Sequence, residues 1–135
     1  SSAHGFGTVA LSPDQTKITV NLSFSGLSAP ASGAHIHGPA GAGTNASILF
    51  PFTGVPAATS GSIPEQTFTI SPTQVGYLQS GLLYMNVHDS IFPGGEIRSQ
   101  ILPVPSTGLT FTNGAGFYTD RNATNNATFY RIVSP

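Results

Sequence analysis

The sequence contains no cysteine among its 135 residues. Disulfide bonds and thiolate metal sites are therefore excluded, and the fold has to be held by its hydrophobic core. Charged residues make up only 7% of the chain, against roughly 25% in an ordinary soluble domain. Serine, threonine, asparagine and glycine take their place, which is typical of an extracellular or cell-surface β protein.

Basic residues and long apolar runs are also scarce. Lys17 is the single lysine, three arginines accompany it, and the net charge is −1. No basic patch is available to neutralise a phosphate backbone, so nucleic-acid binding is excluded. No apolar run is long enough to span a bilayer. The low charge leaves little repulsion between copies, which permits a homo-oligomer or a filament.

The start of the chain and its Asn-x-Ser/Thr sequons point to secretion. The chain begins at Ser1 without a methionine or a signal peptide, and we expect a mature chain from which the signal was removed. We expect an extracellular or cell-surface location. Four sequons are possible glycosylation sites, at Asn21, Asn45, Asn122 and Asn126.

Alternating apolar residues predict short strands along most of the chain. Residues 5–11 and 16–25 should form a β-hairpin around a Pro13-Asp14 turn. Pro51 places a strand over 46–52 at a sheet edge, and Ser71-Pro72 should begin a short helix after a strand at 66–70. Residues 54–64 read as a loop. Strands at 82–88 and 95–102 should pair antiparallel.

Pro103 and Pro105 mark a predicted boundary between two parts of the chain. Residues 1–103 should form one sandwich domain. Residues 104–135 should form a strand-rich extension, with alternating pieces at 109–111, 116–118 and 128–133, packed on the same domain or on a neighbouring subunit. The fold class expected is all-β, a Greek-key antiparallel β-sandwich, superoxide dismutase-like or immunoglobulin-like, with one short helix.

The stretch of residues 34–41, AHIHGPAG, contains two of the four histidines. In a strand, side chains alternate between faces, so His35 and His37 point to one face while Ile36 points to the other. Two imidazoles held on one face of a sheet make half of a metal site. Gly38 and Pro39 should then end the strand.

Together with two later motifs, this stretch resembles a CHRD domain, the module named from chordin and also found in bacterial secreted proteins. The three matching pieces are AHIHGPA at 34–40, YMNVH at 84–88 and PGGEIRSQI at 93–101, and the resemblance covers about residues 4–102. Asp89 stands where the family commonly has a hydroxyl residue, and Ser99 where glycine is usual. The resemblance implies a secreted module and no particular activity.

A weaker similarity links the histidine motifs to copper-zinc superoxide dismutases. It maps the copper ligands of that family to His35, His37 and His88, while the zinc loop and the bridging histidine have no counterpart in this sequence. The similarity implies a copper-only redox enzyme as an alternative function.

Three neutral imidazoles suit copper or zinc, and we rank copper first because the site has no thiolate. A fourth ligand is expected from water, Asp89, Glu96 or His4, in that order. The alternative is a metal-free polar network between strands, in which the histidines join Asn86, Glu96, Arg98 and Gln100. In a metal site those four residues would be structural or would orient the imidazoles.

The favoured hypothesis is a secreted, non-enzymatic module that binds a transition metal and has a structural, adhesive or extracellular-assembly role. No catalytic residues are assigned, because the sequence lacks a cysteine nucleophile, a nucleophile elbow and a phosphate-binding glycine loop. Three alternatives stay open: the copper-only redox enzyme, a filament subunit joined by strand exchange through its terminal segments or edge strands, and a protein-binding module of the chordin kind.

Overall fold

Two antiparallel sheets packed face to face account for most of the computed structural model, which describes residues 1–103 and the backbone of 128–134. The first sheet has the strand order β5-β2-β1-β9-β8 and the second the order β4-β3-β6-β7. The elements are β1 (His4–Leu11), β2 (Lys17–Ser25), β3 (Ala31–His37), β4 (Ile48–Pro51), β5 (Gly61–Thr69), α1 (Pro72–Gln79), β6 (Tyr84–Asp89), β7 (Ile97–Gln100), β8 (Leu102–Pro103) and β9 (Thr128–Ser134). The predicted all-β sandwich with one short helix is confirmed for these residues.

The opening hairpin forms as predicted, with β1 and β2 paired in continuous register from His4–Ser25 to Leu11–Ile18. The Asp14 carboxylate holds the turn, because it accepts hydrogen bonds from the Ser12 hydroxyl and from the amide and hydroxyl of Thr16. Alternate residues of β2 enter the core, namely Ile18, Val20, Leu22 and Phe24.

The second sheet contains the histidine strand and the two later motifs. β3 pairs with β6, and β6 pairs with β7, all antiparallel. Ala34 and Ile36 of β3 and Met85 and Val87 of β6 point into the core and are at most 2% exposed. Their neighbours in the chain therefore lie on the outer face of the sheet, and the histidines are among them.

β4 is an edge strand, as Pro51 predicted. The predicted loop at 54–64 is wrong at its end, because β5 begins at Gly61 and continues through Pro64. The register against β2 shifts between Val20 and Leu22, so Pro64 lies in a β-bulge of an edge strand. A proline is tolerated there because a bulge leaves its residue outside the ladder of hydrogen bonds.

Helix α1 begins where the sequence predicted. The Ser71 hydroxyl accepts a hydrogen bond from the Gln74 amide, and the Gln74 side chain accepts one from the Ser71 amide, which completes a capping box. Val75 and Leu78 bury the inner side of the helix. No helix among the described residues is both long enough and apolar enough to cross a bilayer.

β9 corresponds to the predicted strand at 128–133 and lies between β1 and β8. It pairs antiparallel with β1 over seven positions, from Gly5–Ser134 to Leu11–Thr128. The expected pieces at 109–111 and 116–118, and the sequons at Asn122 and Asn126, lie outside the described residues. The domain boundary at residue 103 stays a prediction.

Candidate metal centre

Three imidazoles meet on the outer face of the second sheet. The pairing of β3 with β6 sets His35 opposite Asn86 and Gly33 opposite His88, so His35 and His88 are diagonal neighbours. One nitrogen from each of His35, His37 and His88 lies within 4.8 Å of the other two. Among the described residues, this is the group of histidine and acidic side chains that is placed to hold a metal ion.

His35 and His88 are in direct contact. His35 Nδ1 lies 3.0 Å from His88 Nε2, and the ring centroids are 4.8 Å apart. Gly33 lies beside this pair, and a Cβ at that position would be in ordinary van der Waals contact with His35, 3.5 Å from its Cε1. Two ligands on one metal ion, each about 2.0 Å from it, are separated by about 3 Å when they are adjacent. The His35–His88 pair is already at that spacing.

His37 is the most buried of the three, at 8% exposure. Its Nδ1 lies 2.9 Å from the Ala46 carbonyl oxygen, to which it donates, and its Nε2 lies 3.0 Å from Asn86 Oδ1. The ring stacks on Tyr84 with the planes only 4° apart. Bound in this way, His37 has one orientation, in which Nδ1 is occupied and Nε2 faces Asn86.

His88 is oriented in the same manner as His37. Its Nδ1 donates to the Pro93 carbonyl oxygen at 2.9 Å. Because Nδ1 of His88 carries the proton, the lone pair of its neutral imidazole is on Nε2, where it accepts a hydrogen bond from His35 Nδ1 at 3.0 Å. Hydrogen bonds from ligand imidazoles to backbone carbonyls are the usual support of metal sites, since they set the tautomer and the ring direction.

Burial and the charges of neighbouring imidazoles favour the neutral forms of His35 and His88. Desolvation, followed by the charges of His88 and His37, lowers the pKa of His35 below its ordinary value. Desolvation also lowers the pKa of His88, against the opposing hydrogen bond to Pro93, and His37 lowers it further. Only neutral imidazole binds a metal, so both shifts favour binding near neutral pH.

A stack of three planar groups supports the inner side of the site. The guanidinium carbon of Arg98 lies 3.5 Å from the centroid of the Tyr84 ring, whose other face covers His37. Arg98 also donates to the carbonyl oxygens of Gly41 and Thr44, and the Tyr84 hydroxyl bonds the backbone of Ala46. These contacts hold residues 38–47, the covering loop, over the outer face next to His37.

The residues expected to orient the imidazoles fall into two groups. Asn86 contacts His37 directly, and Arg98 acts on it through Tyr84. Gln100 donates to the carbonyl oxygens of Ala40 and Gly81, so its amide holds the covering loop in place.

The three expected fourth ligands from the protein lie elsewhere. Asp89 is 1% exposed and accepts hydrogen bonds from the amides of Ala29, Ile91 and Phe92. Asp89 is the residue after His88, so its side chain lies on the face of β6 opposite to that of His88. His4 lies on β1 in the first sheet, with Nε2 2.7 Å from the Ser25 hydroxyl.

Glu96 binds the N-terminal residues to the loop before β3. Its carboxylate accepts hydrogen bonds from the Ser1 hydroxyl and from the amide and hydroxyl of Ser28. Desolvation raises the pKa of Glu96, but the hydrogen bond that it shares with Asp89 and those that it accepts from Ser1 and Ser28 lower the pKa to about 2. Glu96 is therefore occupied as a structural acceptor.

The two described sequons are on exposed positions. The Asn21 amide donates to Glu65 across β2 and β5, and Asn45 Oδ1 accepts from Arg98 in the covering loop. Whether either carries a glycan stays a prediction.

Sequence reasoning missed Tyr84 and the two carbonyl groups that orient the rings. The sequence could have identified Tyr84 as part of the site, because alternation along the strand places it on the same face as Asn86 and His88. The carbonyl groups of Ala46 and Pro93 had no such signal, since any residue type supplies a backbone carbonyl.

The lowered histidine pKa values predict an acid-sensitive fold in metal-free protein. Below pH of about 6.5 the unfolded chain takes up protons at positions 35 and 88 before the folded chain does. The free energy of unfolding should therefore fall as the pH drops from 7 through the lowered folded-state pKa values. Urea titrations with chelator present should show a shallower fall in the His35→Asn/His88→Asn variant. If the free energy of unfolding falls equally steeply with pH in the two proteins, the prediction is wrong.

Comparison with known families gives one relevant result. The family model described as the CHRD domain matches residues 1–101, which is three quarters of the chain. The curated proteins and the solved structures contain no match to the chain.

Proposed function

We propose that this chain, which belongs to the CHRD domain family, binds one transition metal ion through His35, His37 and His88. The observation that carries the proposal is the convergence of three imidazole nitrogens within 4.8 Å on a rigid sheet face. Two of the rings already donate from Nδ1 to backbone carbonyls, which leaves Nε2 for the metal. Without a metal, these two Nε2 atoms contact His35 and Asn86, and the metal would replace both contacts.

Copper is the first candidate and zinc the second. Imidazole binds both ions, and in sites of nitrogen ligands Cu²⁺ is bound more tightly than Zn²⁺. Binding requires that the ligand nitrogens approach to about 3–4 Å from one another, so His37 Nε2 exchanges its contact with Asn86 for the metal. Water completes the coordination, because the carboxylates of Asp89 and Glu96 are engaged elsewhere.

The family supports an extracellular module, and within it we assign this chain a structural, adhesive or assembly role. The metal would then stabilise the outer face of the second sheet. It would join β3 to β6 across the pairs that hold His35, His37 and His88. Any ligand that binds the folded chain and not the unfolded chain raises the free energy of unfolding in this way.

Metal titration of native and substituted protein tests the proposal. The native chain and the His4→Ala variant should each bind close to one equivalent of Cu²⁺, because His4 lies on the other sheet. The His35→Ala/His37→Ala/His88→Ala variant should bind none, measured by calorimetry and by metal analysis after desalting. Circular dichroism controls for folding of each protein. If native protein retains no more copper or zinc than the triple variant, the proposal is wrong.

The same three histidines would serve the alternative of a copper redox enzyme, so a separate assay distinguishes the two functions. Superoxide consumption by copper-loaded native protein, above that of copper-loaded triple variant, would favour the enzyme. Copper binding without such consumption favours the non-enzymatic module.

A further inference from the structure

β9 occupies an internal position in the first sheet, between β1 and β8. It contributes seven paired positions to β1 and two to β8. Without β9, the outer edge of β1 would present unpaired amide and carbonyl groups along residues 4–11. An open edge of this kind is a ready acceptor for another strand. The space between β1 and β8 is therefore a strand-accepting slot.

The occupant of the slot comes from outside the residues that match the CHRD family model. The CHRD match ends at residue 101, whereas β9 spans Thr128–Ser134. The strand that pairs with β1 on this side therefore lies outside the part of the chain that the family model matches.

The connection to β9 is much longer than its position requires. β8 and β9 are antiparallel neighbours, and a turn of about two to five residues suffices for such a pair. Residues 104–127 separate them instead. This length reaches at most about 80 Å, whereas a domain of this size has a radius of gyration of about 14 Å. The surplus is enough to carry β9 to the slot of a second molecule.

We propose that β9 is an exchangeable strand, and that the slot between β1 and β8 accepts β9 from a second copy of this chain as well as from its own. β9 makes the same pairs with β1 whether it comes from its own chain or from a second copy. The ratio of exchanged dimer to closed monomer therefore depends on the protein concentration. The connection keeps β9 near its own slot, which favours the closed monomer in dilute solution. Copies crowded together exchange strands by mass action. With a net charge of −1, the copies repel one another little.

Disulfide trapping tests the exchange, because the chain has no cysteine of its own. Thr8 pairs with Arg131 of β9 on one side and with Asn21 of β2 on the other. A Thr8→Cys chain and an Arg131→Cys chain are unfolded together, refolded as a mixture, and oxidised. A disulfide between positions 8 and 131 then joins two chains only if β9 has been exchanged.

The matched control mixes the Thr8→Cys chain with an Asn21→Cys chain. β1 and β2 are joined by a tight turn, so these two positions meet only within one molecule. The dimer linked through positions 8 and 131, identified by peptide mass spectrometry, should exceed the control. Its fraction should rise roughly tenfold for each tenfold increase in protein concentration while the monomer dominates.

The proposal is overturned if that dimer never exceeds the control up to millimolar protein. If the Arg131→Cys chain fails to fold, a second pair of positions on the same strands is used. The Ala10→Cys chain is mixed with the Phe129→Cys chain, because these two positions are paired between β1 and β9. The control mixes the Ala10→Cys chain with the Thr19→Cys chain, whose positions are paired between β1 and β2. The inference does not depend on the metal, because these variants retain all three histidines. If no exchange is found, the metal proposal still stands. If no metal is bound, the exchange proposal still stands.

Discussion

Asp89→Ala is expected to lower the free energy of unfolding by about 3–4 kcal/mol. The side chain is 1% exposed and accepts three backbone hydrogen bonds. Oδ1 binds the amides of Ile91 and Phe92, and Oδ2 binds the amide of Ala29. Alanine leaves these donors without the carboxylate oxygens, and each buried donor that loses its acceptor costs about 1–3 kcal/mol.

The same substitution should weaken metal binding from a distance. Asp89 holds the turn of residues 89–95, and Pro93 in that turn orients His88 through its carbonyl oxygen. Loss of a group that orients a ligand typically costs about 10–100-fold in metal affinity. Thermal unfolding and copper calorimetry on the Asp89→Ala protein measure the two effects.

Asp89→Asn is the matched control. Asparagine keeps a carbonyl oxygen at the position of Oδ1, so the bonds from Ile91 and Phe92 remain, and the bond from Ala29 to Oδ2 is lost. The expected loss is about 1 kcal/mol. Equal destabilisation by the two substitutions would show that the contacts of Oδ1 do not carry the stability.

Gly38→Ala is expected to destabilise the fold by about 3 kcal/mol, at the upper end for overpacking. A Cβ on Gly38 would overlap the Leu83 side chain and would lie 2.9 Å from the Leu82 carbonyl oxygen. Leu83 is fully buried, and the Leu82 carbonyl belongs to the backbone, so neither can move away at low cost. The chain therefore has to shift directly after His37.

Gly41→Ala provides the comparison within the same covering loop. A Cβ on Gly41 would have no atom within 4 Å. Its effect should be within about 0.5 kcal/mol, as for an ordinary surface substitution. Urea unfolding of both variants measures the difference. If Gly38→Ala is as stable as Gly41→Ala, the close approach of Gly38 to residues 82 and 83 is not what holds the covering loop.

The predictable part of the fold consists of features that each strand carries in its own residues. Alternation along β3 assigned His35 and His37 to one face of the strand and Ile36 to the other. Along β6 it assigned Asn86 and His88 to one face and Val87 to the other. Applied once more, it would have removed Asp89 from the candidate ligands, since adjacent residues of a strand face opposite ways. The strand at Gly61 was missed because Pro64 argues against a strand, and only the edge position with its bulge tolerates it.

The sequence by itself determined the faces of the strands, the helix cap, the sandwich class and the CHRD motifs, because each depends on residues within a few positions of one another. Only the tertiary structure decided that Gly33 lies opposite His88, that Tyr84 is stacked between His37 and Arg98, and that β9 lies between β1 and β8. These contacts join residues that are well separated along the chain. Their register depends on how the two sheets pack as a whole, and no local pattern encodes it.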